Sequence, residues 1–504
     1  MKKYAVLVFV CILFLVGIFF SLWPLFHSGF FVSDDGEWMV IRLSAFYQSF
    51  REGQFPVRFL GRLNQSYGYP VSNFLYPGFL YFGTLFHGIG MSFVNSVKFI
   101  FGFSVLGSSY FLYSILRKRF SFLSASVGTF VFLVSPYLLY DMYTRGSVGE
   151  VLSFLPFFVS LWAIEYSLLW ALPLGIAVLI VSHNSLAVLF FLVLVSFIVY
   201  KKKFYLLPHV FLGLGLAAFF WMPALYEKQF VQVDAIVVSD VSRYFVKLSE
   251  SYLYGVGIIG LIVLACKRVT HSLSDTKFFI FVFMVGSVLS LSPSFFIWNV
   301  LGLGFFFQFP FRFLSLVVIS TPFIVSWIID QSSRKIIVSV CFIVLALLCA
   351  LPVMSGIRFV DRPEGYYTTN EATTTVKNEF MPRWVKKNSV SRPSKRLELY
   401  EGKGIIEIKS ESTQRVTVEI EAKEPLIVQL NSVYYPGWGA SLNGQSVAIE
   451  PSESLGLSHI QVPQGKYTLV TEFRETPFRF AADSISFIFL VIYGFMRRPK
   501  KKGV

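Results

Sequence analysis

Residues 5–35 read AVLVFVCILFLVGIFFSLWPLFHSGFFVSDD, so two adjacent carboxylates, Asp34 and Asp35, follow the first long apolar run of the chain. The run Ala5–Trp23 is long enough to cross a bilayer as a helix and has no Ala-x-Ala-type cleavage site, which favours a retained signal anchor. Acidic side chains at a membrane surface are costly unless they are solvated, paired or used. The couplet therefore predicts a catalytic site that opens toward one side of the bilayer.

The composition excludes an ordinary soluble protein. Hydrophobic residues make up 55% of the 504 residues and charged residues only 14%, whereas a soluble domain has about 25% charged residues. The net charge of +15 does not indicate nucleic-acid binding, because the basic residues stand at the ends of apolar spans instead of forming one patch. We therefore predict a multi-pass protein of the plasma membrane with no nucleic-acid partner.

Apolar runs predict a membrane domain, residues 1–353, and a bundle of about twelve transmembrane helices in the whole chain. The predicted spans are Ala5–Trp23, Asn95–Leu116, Ser121–Tyr140, Val151–Ser167, Leu168–Val181, Leu186–Tyr200, Phe204–Tyr226, Tyr252–Cys266, Phe278–Leu291, Phe311–Ile329, Ile336–Val353 and Ala482–Met496. The apolar stretch Phe74–His87 is instead predicted as a juxtamembrane or re-entrant helix within the first outer loop, residues 24–93.

Charge supports this topology. With a cytoplasmic N-terminus, every basic cluster at a span end falls on the inner side, as the positive-inside rule expects. These clusters are Lys2–Lys3, Arg117–Arg119, Lys201–Lys203, Lys267–Arg268, Arg334–Lys335 and the tail Arg497–Lys502. Both termini are therefore predicted to be cytoplasmic.

A change of pattern marks residues 354–480 as a separate domain. Polar and apolar residues alternate there, for example over Arg415–Ile420, and Asn443-Gly444 and Gln464-Gly465 mark turns. Alternation between turn signals predicts antiparallel strands and hence an extracytoplasmic β-sandwich. Residues 481–504 are then predicted as the last transmembrane helix and a basic cytoplasmic tail.

The carboxylate couplet suits chemistry on a hydroxyl group. An alcohol is a weak nucleophile, and a carboxylate within hydrogen-bond reach can accept its proton as the new bond forms. A neighbouring carboxylate can hold Mg²⁺ or Mn²⁺ against a phosphate leaving group, or orient the base. We expect Asp35 to be the base and Asp34 the metal ligand or orienting group, with these roles open to exchange. The stretch Met39–Arg51 after the couplet has helical apolar spacing and is expected to lie flat on the membrane interface, with Trp38 at headgroup depth. The structural alternative for the couplet is that the aspartates cap a helix over Gly36–Arg51.

Other polar residues near the predicted outer face are candidates for substrate binding. They are Arg58, Asn64, Tyr67, Arg145, Glu150, His183 and Arg312. Arginine binds phosphate through its planar fork, and aromatic side chains can stack against a sugar or an isoprenoid. Structural alternatives stand beside each: membrane anchoring for arginine and tyrosine, salt bridges within Asp141–Glu150, and a hydrogen-bonded structural role for the histidine.

Several short motifs occur along the chain, each of them once. They are Ser33–Gly36, Glu52–Arg58, Tyr67–Pro70 with Tyr76-Pro77, Arg145-Gly146 with Glu150, Gln308–Phe313, Ala372–Thr374 followed by Glu379–Val385, and Tyr434–Trp438. In combination they resemble the membrane glycosyltransferases of the GT-C superfamily. The sequence is similar in particular to bacterial membrane proteins described as 6-pyruvoyl-tetrahydropterin-synthase-related and to the YfhO-like group, although that label does not imply pterin chemistry.

The resemblance implies a GT-C helical bundle with an acidic catalytic residue in its first outer loop, a position matched here by Asp34 and Asp35. It also implies a sugar donor carried on polyprenyl phosphate. The predicted function is inverting transfer of that sugar to a glycan, lipid or protein acceptor on the outer face of the membrane.

Two other functions remain open at the level of sequence. Twelve crossings also fit a transporter or flippase of a lipid-linked saccharide, although such proteins bind substrate near the bilayer midplane and often contain repeats. The third is a membrane-anchored envelope protein whose β-sandwich captures glycans through aromatic residues such as those of Asn431–Gly439.

Overall fold

The computed structural model describes residues 2–232, 238, 240–266, 274–372 and 379–496. Three stretches used in the sequence analysis, Lys267–Arg268, Thr373–Thr374 and the tail Arg497–Lys502, lie outside the described residues. The α-helices are α1 Lys2–Leu22, α2 Gly36–Arg51, α3 Gly78–Gly88, α4 Phe93–Arg117, α5 Phe122–Leu133, α6 Pro136–Tyr140, α7 Val148–Tyr166, α8 Ala171–Ser182, α9 Asn184–Tyr200, α10 Leu207–Leu216, α11 Ala218–Glu227, α12 Gly257–Cys266, α13 Ser274–Leu289, α14 Phe295–Val300, α15 Leu303–Phe307, α16 Leu314–Asp330, α17 Lys335–Ser355, α18 Glu364–Thr369 and α19 Pro477–Met496.

Within these described ranges, seven helices are long and apolar enough to cross a membrane, or up to nine if each of two bent helix pairs is one span. One pair bends by 85° between α13 and the helical turn that leads into α14, where Pro293 interrupts the backbone ladder. Two of the predicted spans coincide with shorter helices, α8 and α9, of 12 and 17 residues. A multi-pass membrane protein is confirmed, and the number twelve stays a prediction.

The helix after the couplet is enclosed by other parts of the protein, and its expected position flat on the membrane interface stays a prediction. Helix α2 packs against α3, α4 and α18, and its side chains Val40, Leu43 and Phe46 are fully buried. Polar side chains of α2 are buried as well, among them Arg42, Ser44 and Ser49, so the helix is enclosed by protein on several faces. The apolar stretch that follows forms α3, whose 11 residues are too few to cross a bilayer.

The strands lie mainly in the C-terminal third of the chain. They are β1 Phe30–Phe31, β2 Phe359–Val360, β3 Leu397–Glu401, β4 Gly404–Glu411, β5 Arg415–Ala422, β6 Leu426–Val433, β7 Trp438–Leu442, β8 Gln445–Val447, β9 Ile449–Pro451, β10 Leu457–Val462 and β11 Gly465–Phe473. Two antiparallel sheets have the orders β3-β6-β10-β9 and β4-β5-β11-β7-β8. In β5, Val416, Val418 and Ile420 are buried while the residues between them are more exposed, which is the period-2 pattern that predicted strands here. The predicted C-terminal β region is thus confirmed.

The C-terminal part of the chain is joined to the first outer loop. Strands β1 and β2 pair antiparallel, with Phe30 opposite Val360, directly before the aspartate couplet. Further on, the Glu52 carboxylate accepts hydrogen bonds from the backbone N–H and the hydroxyl of Thr413, at 2.7 and 2.5 Å. The first outer loop therefore lies between the membrane helices and the β region.

A buried ion pair fixes the base of the β region. The guanidinium of Arg479, at the start of α19, donates Nε and Nη2 to the two carboxylate oxygens of Glu227 at 2.7 and 2.8 Å. Both side chains are almost completely buried, and the carboxylate also accepts from Tyr435 Oη and Asn73 Nδ2 at 2.6 and 2.7 Å. A buried carboxylate needs such a set of donors, and here the donors come from α19, the β6–β7 connection and the first outer loop.

Candidate active site

A cavity of about 870 Å³ lies where the start of α2 meets α9, α11, α15 and the segment before β3. Its polar lining includes Asp35, Arg42, His183, Lys228, Arg312 and Glu379. Its apolar lining includes Phe191, Leu192, Trp221, Leu225, Phe305 and Phe306. Leu192, Leu225 and Phe305 are also more than half exposed on the outside of the protein. The cavity therefore opens onto an apolar surface of the helical bundle.

The couplet is held against the connection between α6 and α7. The N–H groups of Asp34 and Asp35 donate to the carbonyl oxygens of Thr144 and Arg145 at 3.0 and 2.9 Å. Those two acceptors belong to a π-helical turn, Asp141–Arg145, at the end of the candidate membrane span Phe122–Arg145. The position of the couplet thus depends on a segment about 110 residues away in sequence.

Close approach of two backbones makes this contact possible. Gly146 has φ +66°, and a Cβ atom there would lie 2.6 Å from the backbone nitrogen of Gly36 and 2.7 Å from its Cα. A side chain at Gly146 would therefore push the start of α2 away, besides requiring a left-handed backbone that other residues adopt at a cost.

The two aspartates have different surroundings. Asp35 is partly buried and lines the cavity, whereas Asp34 is exposed and is not among the lining residues. Burial raises the pKa of Asp35 above its ordinary value, an effect that the positive charges of Arg145 and Arg42 oppose. Although Asp34 is exposed as a residue, protein atoms partly desolvate its carboxyl group, which raises its pKa as well, and Arg145 again opposes this effect. The environment distinguishes the couplet's members, as different roles would require.

The capping alternative is wrong. Asp35 occupies the N-cap position of α2, but its side chain makes no capping hydrogen bond. The Ser33 hydroxyl accepts the hydrogen bond from the Gly36 N–H instead, at 3.3 Å. The carboxylate of Asp35 is therefore not consumed by the helix end.

Three of the predicted binding residues form one buried ion network. One carboxylate oxygen of Glu150, Oε1, lies 2.7 Å from Arg145 Nη1 and 2.8 Å from Arg312 Nε. Arg145 also bonds Asp141, at 2.7 Å. Arg145 and Glu150 do not line the cavity, but Arg312 does. The network thus places Arg312 at the cavity, while Glu150, outside the lining, compensates its charge.

The guanidinium of Arg312 is fixed in orientation. Nη1 donates to the carbonyl of Phe307 at 2.9 Å and to Oε1 of Gln308 at 2.7 Å, and the ring of Phe309 lies 4.9 Å from the guanidinium carbon. Its Nε is bound by Glu150. These contacts use Nε and Nη1. Among the described residues Nη2 makes no such hydrogen bond, so it is the nitrogen available to a ligand in the cavity.

His183 lines the cavity and also caps a helix. Its Nδ1 accepts the N–H of Leu186 at 3.2 Å at the start of α9, so the ring hydrogen is assigned to Nε2, which lies 3.7 Å from Glu150 Oε1. The ring packs against Tyr76 with 4.7 Å between the centroids. The geometry gives His183 the structural role and leaves one edge of the ring at the cavity.

Arg58, Asn64 and Tyr67 are not brought to the cavity. Arg58 pairs with Asp483 and Glu475 at 2.8 and 3.2 Å, which joins the first outer loop to the last helix and its approach. Asn64 Nδ2 donates to the carbonyl of Gly68 at 3.3 Å. The backbone carbonyl of Tyr67 accepts from the N–H of Val433 in β6, at 2.8 Å. These contacts join the loop to the last helix, to itself and to β6, and none of the three residues lines the cavity.

The sequence analysis missed several polar residues of the cavity. Arg42 is one of them, although its position two turns after Asp35 on a predicted helix places both on one face. Lys228 and Glu379 lie far from the couplet in sequence, and only the tertiary structure brings them to it. Glu379 came closest to being found, since it begins one of the quoted motifs.

The structure was also tested for a divalent-metal site. Among the described residues, no three His, Cys, Asp or Glu side chains are grouped as metal ligands. Asp34, the expected ligand, is exposed and lies outside the cavity lining. Hard cations such as Mg²⁺ need about six oxygen ligands in good geometry. The described residues therefore do not fit such a site. A requirement for Mg²⁺ or Mn²⁺ stays a prediction, and the proposed reaction does not involve a metal ion.

No protein-family model matches the chain, and no curated protein matches it. The narrower resemblance to the pterin-synthase-related and YfhO-like groups is therefore not supported. Among solved structures, the chain is similar to ArnT from Cupriavidus metallidurans bound to undecaprenyl phosphate, with 14% sequence identity and a TM-score of 0.45. The match covers 73% of this chain and 68% of that chain. Similarity at this level assigns no activity.

Proposed function

We propose that this protein is a membrane glycosyltransferase that moves a sugar from a polyprenyl-phosphate donor to a hydroxyl acceptor. The observation that carries the proposal is one cavity lined by both Asp35 and Arg312 that opens onto exposed apolar surface of α9, α11 and α15. A lipid-linked substrate requires that combination, because its chain favours an apolar surface and its phosphate favours a fixed cation.

Arg312 would hold the phosphate of the donor. A guanidinium with its orientation fixed by neighbouring hydrogen bonds loses little conformational freedom on binding an anion. Glu150, which does not line the cavity, balances the charge of Arg312 at 2.8 Å. The isoprenoid chain would then lie along Leu192, Leu225 and Phe305, whose side chains are exposed at the opening.

Asp35 would act as the general base. As the acceptor oxygen attacks the anomeric carbon, its proton passes to the Asp35 carboxylate. The bond from the anomeric carbon to the phosphate oxygen breaks with its electron pair, and polyprenyl phosphate leaves. Direct displacement inverts the anomeric centre. Burial raises the pKa of the Asp35 carboxyl group, which makes its carboxylate a stronger base.

The test compares two neighbouring substitutions in proteoliposomes with a panel of radiolabelled polyprenyl-phosphate sugars. Asp35→Asn should lower kcat by about 100- to 10,000-fold, the usual contribution of a general base. Asp34→Asn should have a much smaller effect, because that side chain is exposed and outside the cavity lining. Unchanged turnover in Asp35→Asn would rule out the mechanism, and a large loss confined to Asp34→Asn would exchange the two roles.

The acceptor, the outer location of the β region and the cytoplasmic termini belong to the same proposal. The location and the orientation rest on the distribution of basic residues at span ends, which predicts that the couplet and the β region share the extracytoplasmic side. The acceptor is proposed to be a glycan, lipid or protein on that side.

A further inference from the structure

The outward face of the four-stranded sheet carries a continuous polar row. The register places four polar residues opposite one another on neighbouring strands: Glu398 of β3, Gln429 of β6, His459 of β10 and Glu450 of β9. Their strand neighbours Leu397, Leu430 and Ile460 are buried, so the row itself points away from the core. Neighbouring strands lie about 4.8 Å apart, which makes the row roughly 14 Å long.

One carboxylate fixes the orientation of the amides in this row. Glu398 Oε1 accepts hydrogen bonds from Asn431 Nδ2 at 2.8 Å and from Gln429 Nε2 at 3.3 Å. The other end of the Gln429 amide, Oε1, therefore faces His459 Nε2, at 3.0 Å. Since an amide oxygen only accepts, the ring hydrogen of His459 is assigned to Nε2. Nδ1 of the neutral ring is then left as an acceptor.

The atoms that the row leaves for a ligand are mostly acceptors. Among the described residues, the second oxygen of Glu398 and the carboxylate of Glu450 accept no hydrogen bond and have no lysine or arginine within 4 Å. The Tyr400 side chain lies beside them, with its ring centroid 4.3 Å from that of His459. Because Tyr400 is 59% exposed, the row also offers an aromatic surface to a ligand.

This set of groups favours one class of ligand. An anionic ligand would meet two carboxylates without a neighbouring cation, which is repulsive. A divalent cation lacks ligands, because the described residues contain no group of three His, Cys, Asp or Glu side chains that could hold one. A neutral sugar chain fits, because its hydroxyl groups donate to the free acceptors and the C–H face of a sugar ring packs on an aromatic ring.

We propose that this row is a binding site for a neutral oligosaccharide. Tyr400 provides the stacking surface, and the acceptors of Glu398 and His459 bind the sugar hydroxyls, with Glu450 at the far end of the row. None of these residues lines the cavity, so the inference goes beyond the proposed function and does not depend on sugar transfer.

The site differs from the one that the sequence suggested for glycans. In the segment Asn431–Gly439, Tyr435 is fully buried and Trp438 is 7% exposed, and the Tyr434 ring packs edge-to-face against Trp384. These rings belong to the interior of the β region, whereas the ring of Tyr400 is accessible.

The test measures sugar binding by the full-length protein in detergent micelles, with no polyprenyl-linked donor present. The probes are four neutral trisaccharides (cellotriose, maltotriose, mannotriose and chitotriose), the acidic trisaccharide trigalacturonate and the basic peptide tetralysine. Isothermal titration calorimetry provides the dissociation constants. We expect at least one neutral trisaccharide to bind, and trigalacturonate to bind more weakly than that probe.

Two substitutions locate the binding on the row. Tyr400→Ala and Glu398→Gln should each weaken binding of the neutral trisaccharide by about tenfold, because one removes the stacking surface and the other a charged acceptor. Tyr400→Phe keeps the ring and should weaken binding less than Tyr400→Ala. Glu407→Gln is the matched control, because Glu407 is an exposed carboxylate on β4 of the other sheet, and it should bind like the wild-type protein.

Several results would overturn the inference. They are no binding of any neutral trisaccharide at millimolar concentration, equal or tighter binding of trigalacturonate, or unchanged binding in both Tyr400→Ala and Glu398→Gln. Binding of tetralysine alone would make the row a surface for basic peptides and would overturn it as well. Should Tyr400→Ala not fold, Glu398→Gln decides the outcome. Because no donor is present, these results leave the test of the proposed function independent.

Discussion

Two neighbouring aspartates differ here because of what surrounds them. Asp35 lines the cavity and Asp34 is exposed, although the sequence presents them as equivalent. A base must be ionised to act, so activity should fall as pH falls through the pKa of Asp35. Since burial raises that pKa, the loss should occur at higher pH than for an ordinary carboxyl group near pH 4.

Arg312 gives the residue scale a second prediction. Arg312→Lys keeps the positive charge but loses the planar fork that donates to Glu150 and Gln308. We expect KM for the lipid-phosphate donor to rise by about 10- to 100-fold, as a lost hydrogen bond to a charged group implies. The measurement is initial rate against donor concentration in proteoliposomes.

The control for that substitution is Arg415→Lys, at an exposed position of β5. It should change neither KM nor thermal stability. If Arg312→Lys melts at the wild-type temperature and binds the donor as well as the wild-type protein, Arg312 does not contact the phosphate.

At the scale of elements, the start of α2 and the turn before α7 act as one unit. Two backbone hydrogen bonds join them, and the backbones approach so closely at Gly146 that a side chain there would not fit. Since α7 is a candidate membrane span, the couplet is tied to a fixed part of the bundle. A loop attached only at its ends would not hold a base this firmly.

The third prediction tests that junction with Gly146→Ala. The new Cβ would lie within 2.7 Å of the Gly36 backbone, so we expect displacement of Asp35 and loss of most transfer activity. Thermal stability should also fall, by more than the roughly 1–2 kcal/mol that a left-handed alanine costs by itself. Activity and melting of the purified variant are the two measurements.

Gly302→Ala is the matched control, since Gly302 has φ +60° and open space where its Cβ would lie. It should show the conformational cost alone and keep its activity. Equal effects of the two substitutions would mean that the close approach at Gly146 has no special role.

For the whole molecule, the main question is which side of the membrane each part faces. The loop of residues 24–93 contacts β2 and the β region, so the loop and the β region must lie on the same side of the membrane. Positive-inside orientation predicts that this side is extracytoplasmic.

Cysteine labelling tests the orientation. In a variant whose four native cysteines are replaced, Glu453→Cys in the β region should react with a membrane-impermeant maleimide on intact cells. Ser333→Cys, between α16 and α17, should react only after the membrane is opened. The opposite pattern would place the cavity on the cytoplasmic side and would end the proposed function.

The sequence by itself determined the class of protein and pointed to two of the residues that line the cavity. Long apolar runs fix membrane helices, and strict alternation fixes strands, because both follow from local periodicity. It also singled out Asp35 and Arg312, since charged residues beside apolar runs are rare enough to be informative. The count of twelve spans stays a prediction, because helices α8 and α9 have only 12 and 17 residues and a crossing needs about 20.

Only the tertiary structure decided which charges face one another. Arg58 was expected at a phosphate and instead pairs with Asp483, while Glu379, distant in sequence, lines the cavity with Asp35. No local pattern encodes such pairings, because they depend on how separate segments pack and on which buried charge each one must compensate.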